Sequence, residues 1–308
     1  MRIGLSGTGL IRHASIERIT TDLQQAADEG FTSYWIADHP SGGFDALTAL
    51  AIAGQSVPGI ELGTAIVPTF PRHPMALAAQ ALTVGQALGG RLTLGIGLSH
   101  ISMMAELGIP FEKPIRHLRE YLSVLLPLLD DGQVDFHGEL YSTTATIFQK
   151  AENPPSVLVA ALGPQALKVA GRMAAGTTLA WVGPKTIREH IVPTITAAAE
   201  AAGRPAPRIA ASLPICVTSH SNAVRASIAT NMGYYGSLPS YRAMFDREGV
   251  NGPADVAIVG SRAEVTDRIR GMAAAGVTDF SPNIFGVDPD ERAATRDLLR
   301  SLLPAVSA

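Results

Sequence analysis

Two titratable side chains, Asp38 and His39, directly follow the apolar run Tyr-Trp-Ile-Ala, which is typical of a buried strand. An ionisable pair at such a strand end must face a polar cavity or water, because burying a charge without a partner is costly. Histidine titrates near neutral pH and serves as a general acid or base. The pair indicates proton-transfer chemistry or, equally well, a surface loop or a helix cap.

A second polar segment, Gly95-Ile-Gly-Leu-Ser-His100, ends another apolar run. Two glycines in this segment would let the backbone approach a flat ligand, and a tight turn that ends the strand is the alternative interpretation. A dinucleotide fingerprint would need glycine at position 100, so His100 excludes that motif. His100 therefore joins His39 as a candidate catalytic residue.

A third segment, Ala161-Leu-Gly-Pro-Gln-Ala166, places Gly163 and Pro164 where a helix is predicted to begin. Proline suits the first helical turn, and the free N–H groups and the dipole of a helix start together bind anions. Taken alone, the segment favours an ordinary helix start over an anion site.

The sequence lacks the residues that several other common sites and mechanisms require. Cys216 is the only cysteine, which excludes an internal disulfide and a CxxC site, and its apolar neighbours indicate a buried, inert thiol. The sequence contains no HExxH, GxSxG or GxxxxGK[ST] motif. Zincin, serine hydrolase and P-loop mechanisms are therefore excluded at the level of motifs.

The chain has 308 residues, of which 46% are hydrophobic and 17% charged, with a formal net charge of −3. This composition can bury a large core, excludes global disorder and gives no general attraction to nucleic acid or anionic membranes. No run of 18 apolar residues occurs and the amino terminus is unlike an export signal. We expect a cytoplasmic protein with neither a nucleic-acid nor a membrane partner.

Apolar segments with strand character alternate with helical patterns along the whole chain. Parallel strands covered by helices follow from this alternation, and eight such units predict a (β/α)8 TIM barrel in a single domain, residues 1–308. A doubly wound sheet is the alternative. The predicted strands are residues 2–6, 34–37, 60–67, 92–96, 157–161, 177–182, 209–218 and 279–284.

Three features depart from the regular alternation. Residues 130–149 are predicted to contain a short surface hairpin, and residues 233–254 to form an irregular, tyrosine-containing insertion before the last helix–strand unit. Pro127 is predicted to bend the helix at residues 115–129 or to end it early. In a barrel, Asp38, His39, the glycine segment and Gly163 would all lie at the carboxyl ends of strands, where barrel sites form.

The order and spacing of several segments resemble the luciferase-like monooxygenase superfamily and, within it, the branch that uses coenzyme F420. The similarity extends along nearly the whole chain. The segments that carry it are Trp35-Ile-Ala-Asp-His39, Leu62-Gly-Thr-Ala-Ile-Val, Arg72-His-Pro74, Gly90-Arg-Leu-Thr-Leu-Gly-Ile-Gly97, Ala161-Leu-Gly-Pro-Gln-Ala166, Val259-Gly-Ser-Arg-Ala-Glu-Val and Ala275-Gly-Val-Thr-Asp-Phe280.

The resemblance implies a barrel that holds a deazaflavin or flavin across its strand ends. It implies a bulge with a non-prolyl cis peptide between Ala65 and Ile66, which would support the back of the ring system. Asp38 would contact the cofactor, and His39 would lie near its reactive carbon as a proton donor. The remaining implied cofactor-binding residues are Gly97, Leu98 and Ser99 along the ring or its side chain, and Gly163, Pro164 and Ala166 at the phosphate.

Two departures from the family pattern bear on the substrate. The sugar-phosphate dehydrogenases of this branch carry a glutamate where this chain has His100, and a tryptophan where it has Gly43. Both differences argue against glucose 6-phosphate as the substrate. Reduction of a C=C or C=N bond is then the favoured reaction, with hydride from reduced F420 and a proton from His39 or His100.

The resemblance therefore predicts an F420-dependent oxidoreductase that acts on a small-molecule or peptide substrate and forms a homodimer. An FMN-dependent monooxygenase that uses O2 and a partner reductase is the first alternative. A non-catalytic cofactor-binding barrel is the second alternative. The oligoglutamate tail of F420 would prefer basic residues at the rim, for which the candidates are Lys168, Lys185, Arg225 and Arg242.

Overall fold

A computed structural model of the chain describes residues 1–10, 15–39, 42–147, 152–286 and 288–303. Its strands are β1 (Arg2–Ile3), β2 (Leu5–Ser6), β3 (Ser33–Ile36), β4 (Glu61–Thr64), β5 (Val67–Pro68), β6 (Leu92–Gly97), β7 (Gln133–His137), β8 (Ser142–Thr146), β9 (Ser156–Val159), β10 (Gly176–Ala180), β11 (Arg208–Ser212), β12 (Pro214–Val217), β13 (Ile258–Gly260), β14 (Asp279–Phe280) and β15 (Asn283–Ile284).

The α-helices of the described residues alternate with these strands. They are α1 (Ile16–Asp28), α2 (Ala46–Gln55), α3 (Pro74–Ala87), α4 (Ile101–Glu106), α5 (Pro114–Asp130), α6 (Pro164–Met173), α7 (Pro184–Thr186), α8 (Val192–Glu200), α9 (Ser221–Met232), α10 (Pro239–Glu248), α11 (Pro253–Val256), α12 (Arg262–Ala274) and α13 (Pro289–Ser301). One π turn (Ile187–Ile191) joins α7 to α8, and 3-10 turns lie at Thr8–Leu10 and Gly233–Ser237.

The main sheet is a parallel barrel. Its order is β1-β14-β11-β10-β9-β6-β4-β3-β2, and β5 also pairs with β6. Because Gly4 alone separates β1 from β2, the two ends of this order belong to the same stretch of chain and the sheet closes on itself. The predicted (β/α)8 architecture is confirmed.

Burial explains why these segments form strands and helices. All four residues of β3 and all six of β6 are buried, as expected of parallel strands covered by helices. Helix α1 turns its apolar stripe of Ile19, Leu23 and Ala26 inward and begins at Ser15, whose side chain accepts the Arg18 N–H.

Of the two predicted effects of Pro127, a bend or an early end of its helix, the early end does not occur. Helix α5 continues through Pro127 to Asp130. Proline removes one backbone hydrogen bond, yet Leu125, Leu128 and Leu129 are buried on both sides of it. Their burial stabilises the last turn of α5 by more than the missing bond costs.

The predicted hairpin is present as the antiparallel pair β7 and β8. The insertion at residues 233–254 is also present, but the expectation that it is irregular is wrong, because it contains α10. That helix begins with Pro239 and buries Met244 and Phe245, so tertiary packing determines its structure. Among the described residues, no helix has both the length and the apolarity needed to cross a bilayer.

Candidate active site

The end of β3 is bonded to a bulge in the neighbouring strand. The Asp38 N–H donates to the carbonyl of Ile66 at 3.1 Å, and the Ala65 N–H donates to the carbonyl of Ile36 at 2.8 Å. The peptide between Ala65 and Ile66 is cis, as the family resemblance implies. Ala65 and Ile66 are half-buried at the carboxyl end of the barrel and therefore lie directly beside Asp38.

Asp38 is a buried carboxylic acid with incomplete charge compensation. Its side chain is 7% exposed and lies 3.5 Å from Nη2 of Arg72. Burial raises the pKa of Asp38 to about 6, because the partial stabilisation by Arg72 does not offset the loss of water. Asp38 therefore changes its charge close to neutral pH, as groups in functional sites often do.

Arg72 lies between two carboxylates, those of Asp38 and Asp45, and one of its N–H groups has no described acceptor. Its Nη2 lies 2.9 Å from Asp45, and its Nη1 is buried without a hydrogen-bond partner among the residues that the structure describes. A buried guanidinium donor without an acceptor is unfavourable unless a ligand provides one. Arg72 is therefore one of the polar residues that could bind a ligand at this end of the barrel.

Because they have no side chain, the two glycines of β6 leave space for the bulge in the neighbouring strand. A Cβ at Gly95 would lie 1.9 Å from the Thr64 carbonyl oxygen, and one at Gly97 would lie 3.1 Å from the Ile66 side chain. The Thr64 hydroxyl also bridges to Gly95, since Oγ1 donates to its carbonyl and accepts its N–H. The close approach of two strands thus requires these glycines, and the approach of their backbone to a ligand stays a prediction.

The two candidate catalytic histidines lie at the same end of the barrel in different surroundings. His39 follows β3 and His100 follows β6, with β4 between those strands in the sheet. Leu98, Ser99 and His100 are half-buried, and Ser99 has a left-handed φ of 62°. Burial lowers the pKa of His100, so its imidazole is neutral at pH 7.

Helix α6 begins with exposed backbone. Gly163 is its N-cap residue, and Gly163 and Pro164 are exposed whereas Ala166 is buried. No side chain in the described part of the chain caps this start, and a Cβ at Gly163 would meet no atom within 4 Å. The first N–H groups and the positive end of the helix dipole are thus available to an anion.

A family model described as luciferase-like monooxygenase matches residues 4–279 of the sequence. The chain belongs to the luciferase-like monooxygenase family. The match begins at Gly4, directly after β1, ends at Asp279, the first residue of β14, and includes every predicted site residue.

Two curated relatives of this family member are named for F420 or for a methanopterin substrate. It is 32% identical over 197 residues to the F420-dependent glucose-6-phosphate dehydrogenase of Nakamurella multipartita, covering 59% of this chain and 58% of that protein. It is 25% identical to the 5,10-methylenetetrahydromethanopterin reductase of Methanolobus tindarius, covering 89% of this chain and 84% of that protein. The chain thus spans less than two thirds of the first relative.

The solved structures include one with the same fold over nearly the full length. The coenzyme F420 dependent tetrahydromethanopterin reductase from Methanopyrus kandleri superposes with a TM-score of 0.82 at 23% identity. The superposition covers 98% of both chains. This similarity confirms the barrel fold independently of the strand pairing.

Two of the predicted rim residues of this luciferase-like protein form hydrogen bonds to its own backbone. The Arg225 guanidinium donates to the carbonyls of Ala254, Ala257 and Val259. The Arg242 guanidinium donates to the carbonyls of Val250 and Asn251. The suggestion that Arg225 and Arg242 bind an anionic tail is therefore corrected, whereas Lys168 and Lys185 have exposed side chains.

Sequence reasoning missed Arg72 as a site residue. Its position before Pro74 suggested a residue that only flanks a turn, and His73 does have that role, because its Nδ1 accepts the Met75 N–H at 3.2 Å. The signal was present in the Arg72-His-Pro74 segment that carries the family resemblance. What the sequence did not show is that Arg72 reaches back to Asp38.

Proposed function

We propose that the protein is an F420-dependent oxidoreductase that transfers a hydride between coenzyme F420 and an organic substrate, reducing a C=C or C=N bond. One observation carries the proposal. An uncapped helix start and a buried carboxylic acid lie at the same end of a barrel whose relatives include an F420-dependent dehydrogenase. Similarity along most of a methylenetetrahydromethanopterin reductase supports the reductive direction.

The residues of this barrel end fit a phosphate-bearing deazaflavin. The exposed N–H groups after Gly163 and Pro164 would hold the phosphate, and the Lys168 side chain on the same helix would attract the acidic tail. Asp38 and the free Nη1 donor of Arg72 would bond polar edges of the ring system. Ala65, Ile66 and the segment Gly97, Leu98 and Ser99 would provide the surface beside it.

Bound F420 would supply hydride chemistry, in which two electrons move to or from the substrate as one unit. Reducing a double bond also requires a proton, and we assign its delivery to the imidazole of His39. His39 is half-buried, so solvent can reach its side chain. The neutral imidazole of His100 positions the substrate by hydrogen bonding, because its lowered pKa makes it a poor store of protons at pH 7.

Cofactor titration tests the first part of this proposal. The purified protein is titrated with F420 and, separately, with FMN while the cofactor's fluorescence is followed. We expect F420 to bind at least tenfold more tightly than FMN. Tighter binding of FMN would instead indicate a monooxygenase, to be assayed by oxygen consumption with a flavin reductase. Binding of neither cofactor would overturn the assignment of a cofactor site.

The two histidine roles are separated by variants. With a substrate that oxidises reduced F420, we expect His39→Asn to lower kcat about a hundredfold, the usual loss for a general acid. His100→Asn should mainly raise KM, because it removes a positioning contact. Full turnover of both variants would contradict the proposal. Loss of the alkaline limb of the pH profile only in His100→Asn would exchange the two roles, because a proton donor acts only while it is protonated.

A further inference from the structure

Four aromatic side chains from three separate parts of the chain converge over the carboxyl ends of the strands. This ring cluster consists of His100 after β6, Trp181 after β10, Tyr235 in the 3-10 turn and Tyr241 on α10. The Tyr235 ring centroid lies 5.1 Å from that of Trp181, 5.3 Å from that of Tyr241 and 6.1 Å from that of His100. The centroids of His100 and Tyr241 are 5.8 Å apart.

The ring cluster retains some solvent exposure. His100, Tyr235 and Tyr241 are half-buried, and Trp181 is 8% exposed. Trp181 has a left-handed φ of 62°, a conformation that is unfavourable for a bulky residue, and its ring lies beside that of Tyr235. Aromatic rings that are not fully buried offer a face or an edge to a further flat molecule.

A second group of rings lies around two buried side chains. His117 and Tyr121 are buried, and His117 stacks on the half-buried Phe70 at 3.8 Å with the planes 8° apart. Nε2 of His117 bonds the Thr69 hydroxyl, and the Tyr121 hydroxyl donates to the Arg72 carbonyl. The polar atoms of these two buried rings are thus bonded within the protein, so ring content alone does not make a binding surface.

The charged groups of Arg242 and Glu248, near the ring cluster, are bonded to other parts of the protein. The nearby guanidinium of Arg242 is bonded to Asp246 and to backbone carbonyls. The Glu248 carboxylate lies against the backbone just beyond Trp181, where it accepts the N–H groups of Lys185 and Thr186. The cation–π pairs among the described residues involve Phe245 and Phe31, outside the ring cluster.

We propose that the ring cluster of His100, Trp181, Tyr235 and Tyr241 is the substrate pocket and selects a flat, uncharged, conjugated molecule over an anionic one such as a sugar phosphate. This inference rests on the proposed function, since it names the substrate class of the same site. His100 belongs both to the ring cluster and to the candidate catalytic pair. A conjugated substrate that stacks on these rings would therefore present its double bond beside the candidate catalytic residues.

Binding of matched probes tests the proposal. Calorimetric titrations with and without F420 compare benzylideneacetone, ethylideneacetone and glucose 6-phosphate. The first two share the same unsaturated ketone and differ in the phenyl ring. We expect benzylideneacetone to bind about tenfold more tightly than ethylideneacetone, since ring stacking adds to the burial of area. Equal binding of the two ketones, or tighter binding of glucose 6-phosphate, would overturn the proposal.

Substitutions at Tyr235 separate stacking from general damage. Tyr235→Leu should remove the advantage of the phenyl ring, raising the Kd of benzylideneacetone about tenfold and leaving that of ethylideneacetone within threefold. Tyr235→Phe keeps the ring and should keep the Kd of benzylideneacetone within threefold of wild type. An unchanged Kd of benzylideneacetone in Tyr235→Leu would contradict the assignment.

The outcomes distinguish this inference from the proposed function. If F420 binds and benzylideneacetone does not, the cofactor assignment survives and the ring cluster is not the substrate pocket. If benzylideneacetone binds with the expected ring preference and F420 does not, the pocket assignment survives and the proposed function fails. Oxidation of reduced F420 by benzylideneacetone, and not by glucose 6-phosphate, would support both.

Discussion

Two helices at the carboxyl end of this barrel start with the same dipeptide. Helix α6 starts after Gly163 with Pro164, and the helical run that leads through α7 into α8 starts after Gly183 with Pro184. Both glycines are extended N-cap residues, with φ of −77° and −80°. From local sequence and backbone conformation, the two starts are equivalent anion sites.

Their surroundings differ, however. Oε2 of Glu248 accepts the Thr186 N–H at 2.7 Å, and Oε1 accepts the Lys185 N–H at 3.2 Å. A Cβ at Gly183 would lie 2.3 Å from the Glu248 carboxyl carbon, whereas one at Gly163 would meet no atom within 4 Å. The protein provides a carboxylate for one helix start and leaves the other exposed, so an external anion has one site to occupy.

We expect the largest effect on cofactor binding from a substitution that places a carboxylate at the start of α6. Gly163→Asp places an acceptor at the N-cap, where aspartate is favoured, and its charge repels an incoming phosphate. We expect the Kd of F420 to rise about tenfold to a hundredfold while the free energy of unfolding stays the same or increases. Fluorescence titration and thermal denaturation measure the two quantities.

Gly163→Ala is the matched control for this variant. The extended φ of −77° suits alanine and the added methyl group has open space around it, so cofactor binding should change less than threefold. Equal weakening by alanine and aspartate would show that glycine itself is required there. Unchanged binding in Gly163→Asp would mean that the phosphate is not held at α6.

Two carboxyl groups, those of Glu248 and Asp38, differ in the same way as the two helix starts: one has hydrogen-bond partners and the other is buried with little compensation. The Glu248 carboxylate accepts two backbone N–H groups, whereas burial raises the pKa of Asp38 to about 6. The folded protein therefore prefers Asp38 protonated, and its ionisation lowers stability as pH rises from about 4 to 6. We expect Asp38→Asn to stabilise the cofactor-free protein by about 2 kcal/mol at pH 8, and much less near pH 4.

Asp45, which pairs with the same Arg72, provides a control because its replacement should change stability in the opposite direction. Burial opposes its ionisation, yet hydrogen bonds from Thr48 and the charge of Arg72 hold the pKa of Asp45 below its usual value. Asp45→Asn should therefore destabilise the protein at pH 8, and the difference from wild type should shrink as pH falls below 4. Melting temperatures of both variants at pH 3, pH 4 and pH 8 decide the matter, and parallel changes would contradict it.

Sequence reasoning predicted the barrel and the position of its site because both depend on local patterns. Apolar runs alternating with helical patterns specified the parallel sheet, and Asp38, His39 and Gly163 were placed at strand ends by that alternation alone. Asp38 is buried beside Arg72 and this burial raises its pKa to about 6, so the polar cavity expected at Asp38 stays a prediction. The cis peptide followed from the family resemblance and not from the residues.

What could not be predicted depends on distant contacts. Nothing near Gly183 shows that it is capped by Glu248, which is more than 60 residues further along the chain. The packing that requires the glycines of β6 could not be predicted either, because the bulge at Thr64 and Ile66 lies in the neighbouring strand. Likewise, the tyrosines at residues 233–254 suggested irregular structure, whereas burial of Met244 and Phe245 stabilises a helix there.

The smallest expected effect comes from removing the carboxylate that the protein supplies. Glu248→Ala leaves the Lys185 and Thr186 N–H groups without their acceptor, so we expect a loss of about 1 kcal/mol in the free energy of unfolding. Glu248→Gln keeps a neutral acceptor and should lose about half as much. Denaturant unfolding of the three proteins measures both differences.

Cofactor binding in the same two variants decides whether the helix starts are functionally distinct. Glu248 caps the start after Gly183 and makes no contact with α6 among its described hydrogen bonds, so the Kd of F420 should stay within twofold in both. If Glu248→Ala instead tightened F420 binding severalfold, the start after Gly183 would be the phosphate site and Glu248 its competitor. The assignment of the phosphate to Gly163 and Pro164 would then be wrong, and the open side of the barrel would lie at β10 and not at β9.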